Sequence, residues 1–395
     1  MTEMTAYIVF NELSELYTFK EPLKRLKLNE LAEIQAIRVI NGYGYLNCQS
    51  VAGLLKLVPP SFRFREITNV FPPYMRDKTL ETPFKIKNVL RVLPRLPLLF
   101  SDMSMVPFFT EPVLKRHIRN IEKQLDCIDL ETYQNRHPDF YIKELNRLLQ
   151  LLSSLQARNQ WGYGNATVLT WLLMHFATKY AGKSESWVLR QIKDIPDNVT
   201  LHIQKRLLEI SRACDKELTE NVLSHENTDK GWIILQTQYR DHRVTRMLKE
   251  FINQYGFRSA NRDFVHLRWE EKPGLVLDLV KVLLKGQPDE IRNGVSRKIN
   301  RGNRGRLKNI ITVPVLYTLV WMTTSLLALR EDLRFALDRI FYRIRKLLLS
   351  INNSGHLKDL QKIENSIFFL TLKELRSILL REKDPAGIQS HVENR

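Results

Sequence analysis

A chain of 395 residues with 44% hydrophobic and 26% charged residues, 15 Gly and 16 Pro can bury a substantial core, which excludes collagen-like, low-complexity and wholly disordered chains. Lys and Arg number 61 against 43 Asp and Glu, a net charge of +18, which favours a polyanionic partner without saying which: phosphorylated small molecule, nucleotide, nucleic acid, anionic membrane face or acidic protein. Cys48, Cys127 and Cys214 are odd in number and form no C-x-x-C pair, so neither a disulfide framework nor a cysteine zinc site is expected. With no secretory signal pattern at Met1–Phe10, a reducing, cytoplasmic setting is expected.

Apolar residues recur at three- and four-residue spacing through most of the chain, and sustained alternation is almost absent, so the expected fold is all-α, with short strands at most. Tyr7–Phe10, Val39–Leu46 around the turn-prone Asn41-Gly42, and Ser366–Leu370 are the candidate strands. Residues 1–30 read as an N-terminal segment, 31–382 as one large helical domain and 383–395 as a fraying tail. A helix is predicted from Pro138 to about Leu155, with proline in its first turn and Leu145, Leu148, Leu149 and Leu152 as the buried stripe. Another runs from Pro273 to a stop at Gly286 through Leu275, Leu277, Leu279, Val282 and Leu283. Residues 292–308 hold seven basic residues, no acid, and the interruptions Gly302 and Gly305, as a loop or frayed helix would. Residues 310–329 carry no charge; with Pro314 and five Thr or Ser they read as a buried helix rather than a membrane span, although their length suffices for one. A helix over Leu333–Leu349 should turn Leu333, Leu337, Ile340, Ile344 and Leu348 inward and Arg334, Arg339, Arg345 and Lys346 mostly outward. Thr371-x-x-Glu374 predicts a capping box opening a last helix that ends near Glu382.

Common nucleotide-binding, zinc-protease and hydrolase motifs are missing from these 395 residues, and no two histidines or cysteines have metal-ligand spacing, so no metal site is predicted. Ser354-Gly355-His356 suits a polar turn between helices better than a phosphoryl-accepting histidine. The densest polar cluster is Tyr255–Trp269. There Arg258, Arg262 and Arg268 could hold phosphate or carboxylate through forked hydrogen bonds, with Ser259, Asn261, Asp263 and His266 adding shorter contacts. By composition alone the cluster better fits a long interhelical connection whose arginines cap carbonyls and pair with Glu270 or Glu271.

Tyr255-Gly-Phe-Arg-Ser followed by Leu267-Arg-Trp-Glu-Glu-Lys-Pro-Gly-Leu resembles a stretch of the phosphoenolpyruvate synthase and rifampicin phosphotransferase family. Asn41-Gly-Tyr-Gly-Tyr-Leu-Asn47, Ile195-Pro-Asp-Asn-Val-Thr200, Ala328–Phe335 and Ile367–Leu375 resemble further family segments in the same order, over roughly residues 30–380. Such proteins combine an ATP-grasp domain, a helical substrate domain and a swivelling phosphohistidine domain, and only the helical part is resembled here. The resemblance implies a substrate-binding component of a split phosphotransferase with no cofactor of its own, ATP and Mg being held by an ATP-grasp partner and the phosphoryl group carried by a phosphohistidine partner. Arg258, Ser259, Asn261, Arg262 and Arg268 would then bind phosphate or an anionic or hydroxyl-bearing substrate, and Asp263 or His266 would orient or deprotonate the accepting hydroxyl. Phe257 stands where the family has histidine, and Ala260–Arg262 and Leu267 also depart from its pattern, which points to a changed substrate or to a site that binds without reacting. Two alternatives remain: a non-catalytic scaffold derived from that domain, and, placed last, a basic helical nucleic-acid binder, which lacks interleaved aromatics. A membrane partner is not expected.

Overall fold

The computed structural model describes residues 20–34, 37–40, 43–46, 53, 55–56, 81–95, 97, 106–193, 199–259, 265–285, 306–354 and 366–381. Tyr7–Phe10, Cys48, Asn261, Arg262, Asp263, most of the basic run 292–308, His356 and the tail 383–395 lie outside them. The protein is mainly α. In chain order the elements are α1 (Glu21–Arg25), α2 (Asn29–Ala32), the strands β1 (Ile37–Ile40) and β2 (Tyr43–Leu46), α3 (Ile86–Val92), α4 (Pro107–Asp126), α5 (Pro138–Lys179) and α6 (Glu185–Lys193). There follow α7 (Val199–Ala213), α8 (Lys216–Leu218) running into a π-helical turn at Thr219–Leu223, α9 (Thr228–Thr237), α10 (Arg243–Tyr255), α11 (Gly274–Lys285), α12 (Arg306–Asn353) and α13 (Leu372–Leu379).

β1 and β2 pair antiparallel on either side of residues 41–42, with Ile37 opposite Leu46 and Ile40 opposite Tyr43, so the strand stretch expected over Val39–Leu46 is two short strands that begin at Ile37. The other described strand candidate is a correction: Ser366–Phe369 form a 3₁₀ turn, in which Ile367 and Phe368 are both buried. Alternation along a strand would have sent these neighbours to opposite faces, whereas one helical turn buries both.

The chain divides into two compact units, one drawn from Met1–His175 and Arg343–Arg395, the other from Phe176–Tyr342. In the first unit α4 buries Leu114, Ile118, Ile121 and Leu125 at helical spacing, and α5 buries Leu145, Leu148, Leu149 and Leu152 as the periodicity predicts. Helix α5 continues for 24 residues beyond Leu155, because nothing after that point carries a stop signal: Gly162 and Gly164 lower helix propensity without ending it. The buried Tyr133 hydroxyl donates to Glu144 Oε1 at 3.0 Å, and Glu144 also takes the Arg147 guanidinium at 2.7 Å. Burial first, and the Glu144 carboxylate second, push the Tyr133 phenol far above its usual range, so it stays a donor. Ser350 Oγ donates to the Tyr133 carbonyl and Arg343 to the Ile128 carbonyl, both at 2.5 Å. Arg345, expected outward, is 3% exposed: it lies between Ile344 and Leu348 on the inward stripe, and its guanidinium sits over the Phe368 ring at 5.2 Å. The capping box forms as predicted, with the Thr371 N–H donating to Glu374 Oε2 (2.7 Å) and the Glu374 N–H to Thr371 Oγ1 (3.2 Å), although α13 ends at Leu379.

In the second unit α7, α9, α10 and α11 enclose one core, built from Ile203, Leu207 and Ile210, from Leu235, from Val244, Leu248, Phe251 and Tyr255, and from Val276, Leu277 and Val280, with Trp269 and Phe335 packed against it. Cys214 lies at its margin, and burial pushes its thiol up to about 11. Residues 310–329 lie within α12, as a helix, but their all-round burial is corrected. Leu316, Met322, Thr323, Leu326 and Leu329 are buried while Val313, Val315, Tyr317 and Trp321 are exposed, Trp321 to 63%. Among the described residues one helical stretch, Thr312–Asn353, is long and apolar enough to cross a membrane by length and composition.

Candidate functional site

Helix α10 has apolar residues at 244, 248, 251 and 255 on one face, which fixes its end against the core of the second unit. Gly256 caps it in a right-handed conformation, so the glycine is required by space rather than by φ: a Cβ there would lie 2.4 Å from the Ile252 carbonyl oxygen and 2.9 Å from Glu270 Cβ. That close approach lets two lengths of chain pair. The Glu270 N–H donates to the Gly256 carbonyl at 3.0 Å and the Trp269 N–H to the Arg258 carbonyl at 2.9 Å, so the polar cluster is a loop closed at its base by its own backbone. The far side is fixed by Glu271, whose Oε2 accepts from the Arg268 N–H at 3.0 Å.

Arg258 leaves this base with its guanidinium 5.7 Å above the Trp269 ring, and Trp269 in turn stacks on Phe251 at 5.8 Å and 25°. Its ion-pair partner is Asp338 of α12, with Nε 3.3 Å from Oδ2, and the Asp338 side chain is only 5% exposed. For Arg258, Asp338 thus takes the place of the Glu270 or Glu271 partner that composition allowed. Glu270 instead accepts from the Tyr342 hydroxyl, whose oxygen lies 2.9 and 3.0 Å from the two carboxylate oxygens. Despite the ion pair, Arg258 Nε makes no hydrogen bond among the described residues, and neither does the neighbouring Ser259 Oγ; both atoms are buried. Buried donors without acceptors cost free energy, on the order of 1–3 kcal/mol each, and native proteins leave few of them unpaired.

Of the other predicted site residues, Arg268 is 1% exposed. His266 is exposed on the loop, and Asn261, Arg262 and Asp263 lie outside the described residues. Phe257 packs edge-on to Phe335 at 4.9 Å and lies 6.3 Å from Tyr342, an aromatic contact with no proton to transfer. Sequence reasoning missed Asp338, Tyr342 and Phe335. A signal for Asp338 existed: it is the only acid between Asp332 and Asn353, one residue past the inward Leu337.

Ser354 donates to the Ile351 carbonyl at 2.6 Å and lines, with Arg136, His137 and Arg381, an open cavity of about 700 Å³ in the first unit. Among the described residues no group of three or more His, Cys, Asp or Glu is arranged to hold a metal.

Residues 161–328 match the family model described as the rifampicin phosphotransferase fourth domain. The match contains the closed loop at 255–270 and stops before Asp338. No curated protein matches the sequence.

Proposed function

We propose, for a chain whose residues 161–328 match the model of the rifampicin phosphotransferase fourth domain, that the loop closed at 256–258 and 269–270 binds the anionic group of a small substrate within a phosphotransferase system. The observation that carries this reading is the pair of buried donors without acceptors, Arg258 Nε and Ser259 Oγ, on a base held by backbone hydrogen bonds and the Trp269 ring. A phosphate or carboxylate supplies what both donors lack. Arg262 and Asn261, close by in sequence, would add donors to the same anion, and Asp263 or the exposed His266 would serve as the base for an accepting hydroxyl. In the transfer step the hydroxyl oxygen forms the new P–O bond while the P–N bond of a partner's phosphohistidine breaks, and the hydroxyl proton passes to that base. ATP and Mg belong to an ATP-grasp partner, and the setting is cytoplasmic.

Labelling tests the division of labour. The purified chain alone is expected neither to hydrolyse ATP nor to retain radioactive phosphate. With ATP-grasp and phosphohistidine proteins from the same source added, label should pass to a small hydroxyl compound. Acid-labile phosphate on the chain alone would overturn the assignment. Phe257 motivates a second reading, a scaffold that binds without reacting; retained anion binding with no transfer in the reconstituted mixture would favour it. Salt-sensitive retention on nucleic acid, with no small-anion binding, would put the basic-surface reading first.

A further inference from the structure

We infer that Asp338 occupies the place of the ligand's anionic group, so that the site is held by a carboxylate of the chain itself until a substrate anion displaces it. The inference rests on the reading of the 255–270 loop as an anion site. Three observations carry it. First, among the described residues the acid that pairs with Arg258 is Asp338, whereas Glu270 takes the Tyr342 hydroxyl and Glu271 the Arg268 N–H. Asp338, nearly fully buried, is the carboxylate facing the guanidinium. Second, the contact between Asp338 and Arg258 Nε is poorly formed. A well-formed charge-assisted contact is short and aligned, whereas Nε lies 3.3 Å from Oδ2 and makes no hydrogen bond. An incoming phosphate that aligns with Nε and also takes the Ser259 hydroxyl makes two bonds where Asp338 makes none with Nε. Third, the guanidinium does not depend on Asp338 for its position, because the Trp269 ring lies beneath it and the Arg258 carbonyl is tied to the Trp269 N–H. Exchange of one anion for the other therefore leaves the arginine in place.

Occupation by an internal carboxylate and simple positioning by it predict opposite signs. If Asp338 competes, Asp338→Asn should bind inorganic phosphate roughly tenfold more tightly than the parent chain in calorimetric titration, the order expected when a competing charge is removed from a charge-assisted contact. Addition of Arg258→Ala to that variant should abolish the gain. Equal or weaker binding by Asp338→Asn would overturn the inference and leave Asp338 a positioning residue. If neither the parent nor Asp338→Asn binds phosphate while both melt cooperatively, the loop is not an anion site and the underlying reading falls with the inference. Should Asp338→Asn fail to fold, Asp338→Ser is titrated in its place. Loss of folding in both would make Asp338 a structural counter-ion that no ligand displaces, which also overturns the inference.

Discussion

Replacing Arg258 by alanine is expected to weaken phosphate binding about ten- to a hundredfold, while replacing Arg306 changes it less than about threefold. The two residues carry the same charge and differ in how they are held. Arg258 is four-fifths buried, fixed by the Gly256–Glu270 and Arg258–Trp269 backbone bonds and laid over an indole ring. Little of its freedom remains to be lost on binding. A charge-assisted contact from such a group to a desolvated anion is worth on the order of 1.5–3 kcal/mol. Arg306 opens α12 at the end of a basic, glycine-interrupted run. Attraction from a single solvated charge is screened over about 10 Å and contributes well under about 1 kcal/mol, the effect expected of a residue in such a run. Calorimetric titration of both variants, each with an unchanged melting curve, separates the cases. Equal losses would assign binding to the basic surface as a whole.

Phe251→Ala should destabilise the second unit by about 3–5 kcal/mol, the range for removing a large buried aromatic side chain. Phe251 is 1% exposed, lies 5.1 Å from the Tyr255 ring and stacks on Trp269, so its loss opens a cavity under the ring that carries Arg258. Urea unfolding followed by circular dichroism gives the cost, and phosphate titration below the transition gives the consequence for the site. A cost under about 1 kcal/mol would mean that the core relaxes into the space and that Trp269 does not need this support.

The helices were legible in the sequence because their signals are local. Leucines at 145, 148, 149 and 152 mark one face of α5, Thr371 and Glu374 define a cap by their own spacing, and Asn41-Gly42 separates two short strands. Endpoints were less legible: α5 and α12 run to 42 and 48 residues because a helix continues until something stops it, and neither Gly164 nor Pro314 does. Exposure of Val313, Tyr317 and Trp321 was hidden for another reason. An uncharged run does not say which of its sides meets a neighbour, and α12 finds one only along Leu316, Met322, Leu326 and Leu329. At the site, Arg258 and Ser259 could be named from the loop, but their electrostatic partner could not. Asp338 lies 80 residues away on another helix, where a single acid in an apolar stripe is ambiguous until the fold brings it to 3.3 Å from Arg258.

The central claim is that Arg258 and Ser259 are donors awaiting an anion. A crystal structure of the chain grown with tungstate, a heavy phosphate mimic located by its anomalous signal, tests it most directly. The account predicts a tungstate oxygen within hydrogen-bond distance of Arg258 Nε and Ser259 Oγ, with the Asp338 carboxylate withdrawn from Arg258. Tungstate bound only along the basic surface, with Arg258 and Asp338 still paired, would contradict it.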